Sequence, residues 1–188
     1  LKGIPKNKLY FYVDLVEKTG LLNSLSKTVQ EQLGETRKFS DFNDFLELIN
    51  EKSEKEFVLV IDEFQRFLEI APECISSLQN YWDQKLKNKR IMIILVGSSI
   101  GMMQKITNSK AGALYGRGKR MKISPFKYAD FRIMFKELTE EERIVTYAVF
   151  GGTPYYLEKV KNTPGDIHKK IYELFLKRGA ELFEEPKT

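Results

Sequence analysis

The 188 residues are 42% hydrophobic and 30% charged, which excludes a disordered chain and predicts a soluble globular protein with one good-sized domain, alone or with a small appendage. No apolar run approaches the roughly 20 residues of a membrane helix, and no secretory pattern opens the chain. One cysteine, Cys74, and one histidine, His168, exclude an internal disulfide and a zinc site and fit a cytoplasmic protein. The net charge of +5 is uneven: no acid stands between Asp83 and Asp130. That interval holds Lys85, Lys87, Lys89 and Arg90, then Lys105, Lys110, Arg117, Lys119, Arg120, Lys122 and Lys127. Such a block attracts phosphate, in a nucleotide or a nucleic acid, or is simply a solvated face.

In chain order, Leu9 to Leu15 reads as a strand, aromatic and β-branched. Leu21, Leu22, Leu25, Val29 and Leu33 have helical spacing, with Gly34 as the stop. Ser40 is the expected cap of a second helix carrying Phe42, Phe45, Leu46 and Ile49. A buried strand follows at Phe57 to Ile61, then a short turn at Phe64, Phe67 and Leu68. Pro72 opens a helix with Ile75, Leu78, Trp82 and Leu86 inward. Ile91 to Val96 is a second buried strand, and a short helix follows with Ile100, Met103 and Ile106. Asn108 to Gly118 is a basic loop, and Lys119 to Ser124 alternates like another strand. Ser124-Pro125 signals a helix with Phe126, Phe131, Met134 and Phe135 on its buried side. Thr139 and Glu142 form a capping box for the next helix, which Gly151-Gly152 ends. Thr153-Pro154 starts another helix, a last one spans Asp166 to Lys177, and the charged tail from Glu181 frays. The order predicts a parallel α/β domain over 1–124 and an all-helical piece over 125–188.

The run at Phe57 to Ile61 has no polar break and ends on Asp62 and Glu63. Unbroken apolar strands belong to parallel sheets covered by helices. Ionised carboxylates are costly to bury, so the pair belongs at the strand's exit, where open α/β sheets bind ligands. This is the arrangement of a Walker B strand, with Asp62 near Mg²⁺ through water and Glu63 orienting the attacking water. The same residues fit a plain buried strand whose Asp caps the next helix, and this stretch alone leaves both readings open.

Four motifs then stand in order: Val60-Ile61-Asp62-Glu63-Phe64-Gln65, Val96-Gly97-Ser98-Ser99, Leu114-Tyr115-Gly116-Arg117 and Phe150-Gly151-Gly152-Thr153-Pro154. Together they resemble the archaeal ATPase domain family, on the AAA+/STAND side of the P-loop NTPases, from the first strand to about Val160. The resemblance implies a parallel sheet with helices on both faces, followed by a small helical lid. It implies Mg²⁺-dependent binding and hydrolysis of ATP. Asp62 takes the Walker B metal role and Glu63 the catalytic one. Ser98 matches a sensor residue that touches the γ-phosphate or the lytic water. Arg117 matches an arginine finger acting across a contact between copies in a homo-oligomer. Gly152 and Pro154 lie close to the nucleotide in the lid. Read without the resemblance, Ser98 is a helix cap, Arg117 a surface arginine, and Gly151 to Pro154 a turn between helices.

The most consequential departure from the family is an absence: the sequence contains no G-x-x-x-x-G-K-[ST]. The nearest approach, Gly112 to Lys119, has the wrong spacing and precedes a strand. The resemblance puts the phosphate loop and its strand before Leu1, in a longer protein, and predicts a gap in the sheet beside Ile91 to Val96. The chain as it stands is expected to bind ATP poorly or not at all. The alternative from another class is a non-catalytic regulatory switch, or a DNA-binding module using the basic 85–127 region; that region has only Tyr115 as an aromatic in its loop. A third reading is a degenerate subunit that only assembles.

Overall fold

The apolar run after Glu56 forms β2 (Phe57–Asp62), the middle strand of a parallel sheet ordered β1-β2-β3, in a computed structural model that describes residues 7–14, 18–108 and 112–183. The flanking strands are β1 (Lys8–Tyr12) and β3 (Ile91–Leu95). The register sets Tyr10 beside Val60 and Tyr12 beside Asp62, and Val60 beside Ile94. Leu15, Lys110 and the end of the tail from 184 lie outside the described residues. The chain divides into two units, Leu1–Lys119 and Arg120–Thr188.

In the first unit the elements are β1, α1 (Lys18–Leu33), α2 (Phe42–Lys52), β2, a 3₁₀ turn (Phe64–Arg66), α3 (Phe67–Ile70), α4 (Glu73–Tyr81), β3 and α5 (Ile100–Thr107). Side chains alternate across a strand, so Leu9, Phe11, Leu59 and Ile61 share one face of the sheet. They pack with Leu21, Leu25 and Val29 of α1, and with Phe45, Leu46 and Ile49 of α2. The rings of Phe42, Phe64 and Phe67 extend this core, with Phe64 edge-on to Phe67 at 5.4 Å. Gly34 stops α1 with φ of +73°, where a side chain would be strained. Asp41, not Ser40, caps α2: its Oδ1 accepts from the Asp44 N–H at 2.9 Å, and the Ser40 N–H donates to Asp44 at 2.8 Å. A charged acceptor suits the positive end of a helix better than a hydroxyl. Past Tyr81, α4 widens into a π turn over Trp82–Leu86, where the Lys87 N–H reaches the Trp82 carbonyl. Leu86 is buried there, whereas Trp82 is only half-buried.

Two strand expectations are corrected. β3 is not buried on both sides: Met92 and Ile94 are 60% and 39% exposed, on the same face as Tyr10 and Tyr12 at 45% and 42%. Among the described residues β3 has a ladder partner on one side only, β2. Lys119 to Ser124 forms no strand, and Met121 and Ile123 are 81% and 87% exposed. Alternation specifies a strand only where a neighbour completes the ladder.

The second unit is helical, with α6 (Tyr128–Met134), α7 (Glu140–Phe150), α8 (Pro154–Asn162) and α9 (Ile167–Ile171), the last continuing as a π turn over Tyr172–Leu176. Phe131, Phe135, Phe150, Leu157 and Val160 form its core. The Thr139–Glu142 capping box is present, with the Thr139 N–H donating to Glu142 at 2.8 Å. α6 starts later than Ser124-Pro125 suggests, and Phe126 is exposed rather than core. Its backbone is committed elsewhere: its N–H donates to the Gly152 carbonyl at 2.8 Å, and its carbonyl accepts from the Tyr147 hydroxyl at 2.9 Å. Among the described residues no helix is long and apolar enough to cross a membrane.

Candidate active site

The end of β2 must turn sharply into the 3₁₀ helix, and one residue absorbs the change. Glu63 takes φ of +54°, the only positive value among the described non-glycine residues. That conformation costs of order 1–3 kcal/mol for a residue with a side chain and recurs at functional sites. Its neighbours enforce it. The Asp62 Oδ1 accepts from the Glu63 N–H at 2.8 Å, and the Phe64 N–H donates to the Val96 carbonyl at 2.9 Å. The buried rings of Phe64 and Phe67 then lock the turn to the core.

This turn gathers three of the residues expected from the sequence. The Ser98 hydroxyl, just beyond β3, donates to the Glu63 Oε2 at 3.2 Å. Asp62 accepts from the Glu63 N–H and lies on the sheet face that carries the exposed Tyr12. Three more join them that the sequence reading did not assign. The Gln65 Nε2 donates to the Glu63 Oε2 at 2.6 Å. The Arg66 Nε lies 3.4 Å from that same oxygen, while its Nη1 donates to the Val13 carbonyl at 2.9 Å and its guanidinium lies over the Tyr12 ring. The Tyr10 hydroxyl donates to the Asp62 Oδ2 at 2.6 Å. Signals for them existed: Gln65 is a lone uncharged polar residue between phenylalanines, and Tyr10 has the strand parity of Asp62 once β1 and β2 are parallel.

Arg117 is not joined to these groups. Its Nε and Nη2 grip the Asp83 carboxylate at 2.9 and 2.7 Å, and its Nη1 donates to the carbonyls of Ala113 and Tyr115. The guanidinium holds the Asp83 carboxyl below its usual range. Lys85 pairs with Glu47, and Lys89 with Glu54, so part of the basic block is neutralised by acids from earlier in the chain. Gly152 and Pro154 belong to the second unit. Pro154 opens α8 at its first turn, and Gly152 sits against the Phe126 backbone.

The Tyr10 phenol is pushed up to about 12 from 10.0, first by its bond to Asp62 and then by burial. A raised pKa in the fold contributes stability that is complete below pH 10 and lost as pH climbs toward about 12. Tyr10→Phe is therefore expected to flatten the fall in stability over that window, read from urea unfolding of both proteins. Parallel curves would remove the Tyr10–Asp62 bond from the account.

The parallel sheet carries an Asp-Glu pair at the mouth of its middle strand, and its likeness to a solved structure makes the fold P-loop NTPase-like. The fold is similar to the solved structure of a Walker-type ATPase of Pyrococcus abyssi, with a TM-score of 0.62 and 18% identity over 96% of this chain and 63% of that one. A family model described as an ATPase domain predominantly from Archaea matches residues 6–160, and the chain belongs to that family. An uncharacterized protein of Methanocaldococcus jannaschii is 36% identical over 143 residues, 71% of this chain and 33% of that protein. The chain thus spans about a third of the length of this relative.

Proposed function

We propose that the intact protein is a cytoplasmic ATPase that requires Mg²⁺, with Asp62 serving the metal and Glu63 the attacking water. The observation that carries this reading is the hold on Glu63. Gln65, Ser98 and Arg66 all address its Oε2. Among the described residues no partner engages the other oxygen, which remains available to a water. The donor set suits Mg²⁺, a hard cation that keeps several waters and is bound through one or two carboxylates plus phosphate oxygens. Among the described residues no cluster of three or more acids, histidines or cysteines forms a cage, so Asp62 would share the ion with the nucleotide. The bound ion would neutralise charge on the transferring phosphoryl group. In this reading Ser98, which donates to Glu63, senses the γ-phosphate or the lytic water.

The phosphate-binding loop in this reading comes from sequence outside residues 1–188, its strand completing the sheet at the open side of β3. Support comes from the one-sided pairing of β3 among the described residues. A second copy or a shifted strand are the other ways to fill that edge. Asp62→Asn in the full-length protein is expected to raise the Mg²⁺ concentration needed for half-maximal phosphate release by about 10- to 100-fold. An unchanged Mg²⁺ dependence would sink the assignment of Asp62. For Arg117 to act as a finger in a homo-oligomer it must first leave Asp83, so Asp83→Ala should then change the rate.

DNA binding through 85–127 is the second reading, favoured by the exposure of Lys119 and Lys122 beside Met121 and Ile123. It predicts affinity for a DNA duplex that falls steeply with salt. Absence of binding at low salt would dismiss it.

A further inference from the structure

Ser53, Gln65 and Thr146 are the polar residues buried among the described ones. Ser53 and Thr146 donate their hydroxyls within their own helical turns, to Asn50 and Glu142. Gln65 differs. It is 4% exposed, and among the described residues its buried Oε1, like the Asn50 Oδ1, has no hydrogen-bond donor. A buried acceptor without a partner is unusual in a native fold and calls for a reason.

The reason lies at the other end of the amide. Nε2 donates to the Glu63 Oε2 at 2.6 Å and approaches the Ser98 hydroxyl at 3.5 Å. A bond to a charged acceptor is about twice as strong as a neutral one, and turning the amide over would set a carbonyl against a carboxylate. The carboxylate therefore dictates the orientation, and Oε1 is forced toward the loop after β3. The loop leaves just enough room: a Cβ at Gly97 would lie 2.3 Å from that oxygen and 2.7 Å from the Met103 sulfur. Glycine at 97 lets the amide keep its grip.

We propose that Gln65 is a positioning residue for hydrolysis: it holds Glu63 by Oε2, leaving Oε1 to orient the attacking water, and Gly97 makes the space in which it does so. This rests on the reading of Glu63 as the water-orienting carboxylate. The orphaned oxygen is then the consequence of aiming the acid. Arg66 and Ser98 touch the same oxygen at longer range, so Gln65 supplies the shortest contact.

The test uses the full-length protein and its Glu63→Gln, Glu63→Ala, Gln65→Leu and Gly97→Ala variants. Gln65→Leu keeps the volume and removes the orphan, so its melting temperature should hold or rise. Its kcat should fall by about 10- to 100-fold, the scale set by misplacing a reacting group, with ATP affinity unchanged. Gly97→Ala should reproduce the kcat loss without touching either acid. In the nucleotide-free protein, the Gln65 side-chain amide proton should resonate downfield by NMR, and Glu63→Ala or Gly97→Ala should return it to the ordinary range. Retained kcat in Gln65→Leu, in a protein whose turnover depends on Glu63, overturns the proposal. So does an amide resonance that ignores Glu63, which decides the matter even if Gln65→Leu fails to fold. A purely structural role would show as lost melting transitions and lost ATP binding together in both variants. Turnover indifferent to Glu63→Gln overturns the ATPase reading itself, and is seen before any Gln65 variant is made.

Discussion

Glu63→Gln in the full-length protein should bind Mg²⁺-ATP as the parent does and hydrolyse it at least about 100-fold more slowly, the low end of what a positioned acid or base contributes. The site geometry explains why this substitution is the clean one. A glutamine at 63 can present its carbonyl to Gln65 and Ser98, where Oε2 now accepts at 2.6 and 3.2 Å. Its NH₂ group then falls where Oε1 was, and a donor cannot take a proton from water. Glu63→Gly separates function from stability in the opposite sense. Its backbone is free to adopt φ of +54°, which relieves a strain of order 1–3 kcal/mol at the expense of the side-chain bonds. Turnover should vanish while the unfolding midpoint holds or rises. Wild-type hydrolysis in Glu63→Gln would remove this carboxylate from the chemistry.

Gly152→Ala should destabilise the helical unit by about 3 kcal/mol or more, the upper range for overpacking, measured by circular dichroism in urea. An added Cβ would lie 1.9 Å from the Phe126 carbonyl oxygen, and 2.8 Å from that residue's carbonyl carbon and nitrogen. These are backbone atoms that cannot swing aside. Moving them apart would also break the Phe126 N–H bond to the Gly152 carbonyl and disturb the Tyr147 hydroxyl bond. Gly151 is required for another reason. Among the described residues no atom would crowd a Cβ there, but its φ and ψ of 64° and −153° lie in a region open essentially to glycine alone. Gly151→Ala should therefore cost less, about 1–3 kcal/mol. Equal losses at the two positions would contradict the close approach at Gly152. The family resemblance put Gly152 near a nucleotide; the packing gives it a structural duty in its own unit whatever else it does.

The sequence by itself determined whatever depends on near neighbours. The five apolar residues before Asp62, short and rich in β-branched and aromatic side chains, read as a buried strand, and the break in polarity marks where the chain leaves the core. Thr139 and Glu142 close their box three residues apart, and Gly34 and Gly151 stop helices through their own backbone freedom. The acid pair was legible for the same reason, and the motif order named the family. The tertiary structure alone decided which side chains meet across long stretches of chain. Arg117 is gripped by Asp83, 34 positions away, and Tyr10 reaches Asp62 across 52. Gln65 touches Glu63 two residues back, yet the room for its buried, orphaned oxygen comes from Gly97 on another strand's exit. Lys119 to Ser124 had the pattern of a strand without a ladder to join. Periodicity encodes which face of a segment is apolar, but pairing, register and charge partnership are set by packing between segments, where no local pattern reaches.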